Sequence, residues 1–208
     1  GIISILIFYL GFNYKTSANP NIYYQVYLNG EKLGVIDDKE KLESYIDKQN
    51  KKYKKQFGVK KVYAPNGLEI KKIETYYSNL TSIKGIYQKI EKKEPFTIEG
   101  YQFNIKKSDE ETVTIYTLNK DIFDTAVEST IKTFIGEEQY QEYQENEQMK
   151  IETTGTIIEK IYIGEDITIK KVKIPVTEQI YTDSATLAKF FVFGASENQS
   201  KYTVKIGD

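Results

Sequence analysis

Tyr24-Gln-Val-Tyr-Leu-Asn-Gly-Glu-Lys-Leu-Gly-Val-Ile36 decides how the chain is read. Tyr24, Val26 and Leu28 alternate with Gln25 and Tyr27, so one side of an extended segment can be buried. Asn29-Gly30 is the dipeptide that best fits a two-residue hairpin turn, whose central positions both need positive φ. Leu33-Gly34-Val35-Ile36 then reads as the returning strand. A β-hairpin therefore opens the folded part of the chain.

Downstream of it, Asp37 or Asp38 is placed to cap a helix with Leu42, Tyr45, Ile46, Tyr53 and Phe57 on one face, and Gly58 follows as its C′ residue. Two short strands are expected over 59–63 and 68–76, around a Pro65-Asn66-Gly67 turn. Ser82 then caps a short helix bearing Ile83, Ile86, Tyr87 and Ile90.

From residue 101 the order restarts. Tyr101, Phe103 and Ile105 alternate, 107–111 turns, and Val113, Ile115 and Thr117 return. Asn119 caps a helix carrying Ile122, Phe123, Ala126, Val127, Ile131, Phe134 and Ile135. Strands are expected near 149–153, 156–163 and 166–172, then a last short helix over 185–193, capped by Asp183 or Ser184 and closed by Gly194. Glu69-Ile-Lys-Lys-Ile73 echoes Thr168-Ile-Lys-Lys-Val172, each before the short helix of its half. The expected fold class is α+β: two tandem repeats of β-hairpin, long helix, strands and short helix, after an N-terminal apolar segment. The expected divisions are 1–14 anchor, 15–22 linker, 23–94 first repeat, 95–195 second repeat, and 196–208 linker plus a further strand.

Composition excludes more chemistry than the motifs establish. Of 208 residues, 29 are basic and 30 acidic, and His, Cys and Trp are absent; every basic residue is Lys. Without His or Cys there is no Ser-His-Asp or Cys-His nucleophile, no Cys or His zinc site and no disulfide framework. Without Arg there is no guanidinium fork for phosphate or guanine. A net charge of −1 argues against general capture of nucleic acid. Abundant Ile and Lys with no Arg point to an AT-rich bacterial genome.

Residues 1–12 are apolar without a charge, too few to span a bilayer, which takes about 20 residues. They are expected to be a truncated transmembrane anchor; the apolar half of a signal peptide or a core element are the other readings. Both ends read as cuts in a longer protein. The run Lys51, Lys52, Lys54 and Lys55 around Tyr53 has the basic-plus-aromatic look of an anionic-polymer surface. Tyr53 falls on the apolar side of its helix, however, which makes the lysines a solvated face or a contact for an envelope polymer or lipid head group. The Glu- and Gln-rich stretch 136–148 reads as a helix extension or loop, because it lacks the Asp alternation and turn Gly of a calcium loop. Asp37-Asp38, Asp109-Glu110-Glu111 and Glu165-Asp166 sit at turns or helix starts, where carboxylates cap. Asn79-Leu-Thr81 and Asn198-Gln-Ser200 match glycosylation sequons.

The C-terminal Tyr202-Thr203-Val204-Lys-Ile-Gly207-Asp208 resembles the first strand of a LysM peptidoglycan-binding module. With the apolar start and the two α+β repeats, the order is similar to the ectodomain of Gram-positive cell-wall hydrolases, in which such repeats precede LysM and a lysostaphin-like zinc endopeptidase domain. The similarity covers most of 22–208 in pattern and only the last seven residues as a motif. It implies a hydrolase for the parent protein, with zinc in a domain beyond Asp208. No catalytic, cofactor-binding or metal residue carries over, because that site needs His. The expected function is a non-catalytic extracytoplasmic spacer or interaction region of a single-pass membrane protein. Its partners would be peptidoglycan, engaged beyond this chain, or envelope proteins, with no nucleic acid. The alternative is a structural self-assembling or partner-binding subunit of a cell-envelope complex.

Overall fold

The computed structural model describes residues 20–76, 79–106, 111–147, 158, 160–161 and 166–194. The chain is a mixed α+β protein with two sheets and, among the described residues, five helices. It divides into two compact units between Thr97 and Ile98. The expected anchor at 1–14 and the LysM-like segment at 196–208 lie outside the described residues. Of the expected linker 15–22, Asn21 and Ile22 already belong to the first strand. No described helix is long and apolar enough to cross a membrane.

In the first unit, β1 (Asn21–Leu28) and β2 (Glu31–Ile36) form the hairpin, with Asn29 at φ 50° and Gly30 at φ 80° in its turn. β1 also pairs antiparallel with β3 (Leu68–Thr75), so the sheet order is β2-β1-β3. A bulge between Val26 and Tyr27 leaves Leu33 unopposed on β2, and Leu33, Val35 and Ile36 are all buried. The helix α1 (Lys39–Phe57) starts at Asp38, whose carboxylate accepts from the Lys41 N–H at 3.0 Å. It ends at left-handed Gly58. Ser82 caps α2 (Ile83–Lys93) by accepting from the Gly85 N–H at 3.1 Å. Leu42 and Phe57 of α1 and Ile86, Tyr87 and Ile90 of α2 are buried, as are Val26 and Leu28 of the sheet. Tyr87 stacks on fully buried Phe96, centroids 5.6 Å apart, and meets Tyr45 edge-on at 5.2 Å.

The strand expected over 59–63 reduces to one bridge, Tyr63 with Thr97, made by reciprocal N–H to carbonyl bonds of 2.8 and 3.0 Å. Pro65 and left-handed Gly67 follow within four residues, which leaves no room for a longer ladder.

The second unit repeats the hairpin with β4 (Thr97–Lys106) and β5 (Thr112–Thr117), followed by α3 (Lys120–Ile135) capped by Asn119. A further helix, α4 (Glu137–Glu145), forms from the Glu- and Gln-rich stretch. β6 (Asp166–Pro175), β7 (Ile180–Tyr181) and α5 (Ser184–Phe193) complete it. The sheet order is β6-β4-β5-β7, with β7 parallel to β5 over two residues. The core centres on Phe103 and Phe123, stacked with centroids 3.9 Å apart, and Phe191 meets Phe123 edge-on at 5.5 Å. Thr117 is fully buried and satisfied, its hydroxyl donating to the Asn119 carbonyl at 2.6 Å.

In both sheets the first hairpin strand lies between its hairpin partner and the next long strand in the chain. β7 has no counterpart in the first unit among the described residues.

Two substitutions test this packing. A Cβ on buried Gly100 would press on Ile174 and the Thr117 carbonyl. Gly100→Ala is therefore expected to destabilise the protein by about 1–3 kcal/mol in urea denaturation. Asn50 Oδ1 on α1 is buried with no hydrogen-bond partner among the described residues. Asn50→Leu is expected to raise stability by about 1 kcal/mol, because it removes an unsatisfied acceptor.

Candidate functional surfaces

α1 separates its side chains cleanly. At 100° per residue, Lys48, Lys51, Lys52 and Lys55 share one side of the helix, opposite Leu42, Ile46, Tyr53 and Phe57. Lys51, Lys52, Lys54 and Lys55 are all exposed, and none pairs with a carboxylate among the described residues. Lys54 and Lys55 also lie in the last turn, where cations complement the helix dipole. Beyond Gly58, Lys61 continues the basic surface and sits over the Tyr63 ring at 4.4 Å. The structure thus brings the four sequence-predicted lysines onto one end of one helix. Tyr202, Thr203, Val204, Gly207 and Asp208 lie outside the described residues.

Tyr53 does not stand among these lysines. Its hydroxyl donates to Glu91 Oε1 of α2 at 2.6 Å, and the Tyr87 hydroxyl reaches the same oxygen at 3.3 Å. Two phenols thus converge on one half-buried carboxylate and tie α1 to α2. Burial pushes the Tyr53 hydroxyl above the usual tyrosine value, with the Glu91 hydrogen bond adding to it. Tyr87 is pushed up further, first by burial and then by its bonds to Tyr53 and Glu91. A phenol held neutral in this way is a donor and not a base, so the cluster is a fastening between helices. Glu91 was not singled out from the sequence, although a tyrosine on an apolar helix face calls for some polar partner.

The remaining candidates stay apart. Asp38 and Asp183 act as helix caps, and the backbone N–H groups of Lys41 and Thr186 hold their carboxyls below the usual range. On α4, whose residues are all at least partly exposed, Tyr140 packs under Lys132 at 5.3 Å; Lys132 itself sits between Glu128 (3.0 Å) and Glu137 (3.3 Å). An open groove of about 560 Å³ runs along the first sheet, lined by Gln25, Lys32, Val35, Ile73, Glu74 and Thr75 among others. It brings together one cation and one carboxylate, without the paired carboxylates of acid/base hydrolysis. No group of three or more acidic side chains suited to a metal ion occurs among the described residues.

No protein-family model, curated protein or solved structure matches this chain.

The tyrosine cluster makes a prediction about pH. Both raised values mean that the folded chain holds protons which the unfolded chain releases at high pH. The stability contributed is therefore complete below about pH 10 and is lost as the pH rises above it. Tyr53→Phe is expected to cost about 1 kcal/mol at neutral pH. It should also flatten the fall in urea midpoint above roughly pH 10, the usual tyrosine value. An unchanged pH slope would show that the cluster does not couple to folding.

Proposed function

We propose that this chain is the non-catalytic, extracytoplasmic spacer and interaction region of a membrane-anchored bacterial cell-wall protein that binds or remodels peptidoglycan. The observation that carries the reading is the recurring strand order of the two sheets, with the first hairpin strand in the middle each time. It supports a duplicated module in which each copy buries its own core. Separately folded modules in one chain set its ends apart, and that is the mechanical task of a spacer between membrane and wall. The apolar start and the LysM-like Tyr202-Thr-Val-Lys-Ile-Gly-Asp208 supply the direction, from membrane to peptidoglycan.

In this reading wall binding and any zinc-dependent cleavage belong to domains beyond Asp208. The chain itself needs no cofactor. Its own chemical contribution is the lysine end of α1, Lys51, Lys52, Lys54 and Lys55, facing an anionic envelope polymer or lipid head group. The alternative, a self-assembling subunit of an envelope complex, is favoured by one feature, the charge pattern along β3.

Purified peptidoglycan incubated with the chain is expected to release no soluble fragments, with or without EDTA. Release in the presence of EDTA would overturn the non-catalytic reading. In co-sedimentation with teichoic-acid-bearing walls, replacing the four lysines by Gln should weaken binding several-fold at low salt and little at high salt. Equal sedimentation of both proteins at low salt would remove the lysine surface from the proposal.

A further inference from the structure

We infer that the outer edge of β3 is a homodimer interface, pairing antiparallel with β3 of a second copy around Ile73. The inference stands apart from the cell-wall reading and rests on the sheet alone. β3 pairs with β1 over all eight of its residues without a register shift, and no described strand covers its other side. Alternate N–H and C=O groups along a regular border strand point outward, the arrangement that accepts another strand.

Edge lysines ordinarily discourage such pairing. On β3, however, Glu69-Ile70-Lys71-Lys72-Ile73-Glu74 reads the same in both directions. Two antiparallel copies centred on that palindrome would meet like with like, Lys71 opposite Lys72 and Glu69 opposite Glu74, whereas a two-fold axis placed at an isoleucine brings opposite charges together. With Ile73 opposite the partner's Ile73, Lys72 lies opposite the partner's Glu74, and Glu74 opposite the partner's Lys72. Registers centred on Lys71 or Lys72 put like charges face to face and are disfavoured. A register centred on Ile70 also matches charges, but Ile70 lies beside fully buried Val26, on the side the helices already cover. Ile73 lies beside Tyr23 on the open face, and both are half-buried. Pairing there joins Tyr23, Ile73 and their copies into one apolar row across four strands.

The border strand of the second sheet shows the contrast. β6 reads Thr168-Ile-Lys-Lys-Val-Lys173, three lysines with no carboxylate between them. Lys171 is held by Glu99 of the neighbouring strand at 3.5 Å. That edge is blocked by like charge, whereas β3 carries two lysines and two glutamates.

The chain has no cysteine, so a single introduced one reports position without background. Opposed residues in an antiparallel pair have Cβ atoms about 5 Å apart, within disulfide reach. In the full 208-residue chain, Ile73→Cys is expected to form a disulfide dimer at least about tenfold faster than Ile169→Cys on β6 or Ile70→Cys. Adding Lys72→Glu should slow the reaction about tenfold, since two attractive pairs become repulsive. Adding Glu74→Lys as well should restore it. Equal rates at positions 73 and 169, a faster reaction at 70, or failure of the double exchange to restore the rate would each overturn the inference.

Discussion

The first unit depends on what happens at Asn29. Its left-handed backbone turns the hairpin, and its N–H donates to the Gly67 carbonyl at 3.0 Å, where the chain enters β3. Its side-chain amide reaches Glu94 at 2.9 Å, at the end of α2. One turn residue thus holds the start of the third strand and the end of the second helix against the same hairpin. A Cβ on Gly67 would fall on Asn29, so these two turns must approach at a glycine. With β1 pinned between two partners, its alternation settles which side faces the helices. Val26 and Leu28 then go inward, while Tyr23, Gln25 and Tyr27 remain on the open side.

What was legible in the sequence is what is local. The Asn-Gly hairpin and the caps at Asp38, Ser82, Asn119 and Asp183 are each written within three or four residues, and each is found with its cap hydrogen bond. The features that escaped depend on distant partners. β7 is two residues long and exists only because β5 offers an edge beside it. The strand expected at 59–63 had suitable residues but only Thr97 to pair with. The Tyr53–Glu91 bond spans 38 residues, and nothing near Tyr53 marks its acceptor. Of the candidate surfaces, the lysine face of α1 followed from helical periodicity alone. The role of β3 as a border strand required knowing that β1 lies in the middle.

Both sheets place the first hairpin strand in the middle, yet the two cores are filled differently, and the difference has chemical consequences. The second unit stacks Phe103 on Phe123 and closes with Phe190 and Phe191, none of which has a polar group to satisfy. In the first, Tyr45, Tyr53 and Tyr87 pack alongside Phe57 and Phe96, and burying a phenol without a partner would cost free energy. Glu91 answers two of them at once, which couples the fit of α1 on α2 to the protonation of the tyrosines. pH sensitivity above the tyrosine range therefore belongs to the first unit's helix pair through Tyr53, Tyr87 and Glu91, while in the second unit burial alone raises Tyr181, which packs against Phe190.

A net charge of −1 describes the chain poorly, because the charges are sorted by element. Lysines line the outer side of α1, glutamates crowd α4, β6 is basic along its middle, and β3 carries two lysines between two glutamates. Exposed charges act over about 10 Å at moderate salt, so a partner meets the local stripe and not the sum. The composition excludes general attraction to a polyanion and still permits a local one at α1. It likewise permits strand pairing at β3 and opposes it at β6, although both carry the same Ile-Lys-Lys core. On β3 it is Glu74, one residue beyond Ile73, that offers Lys72 of a second copy an opposite charge.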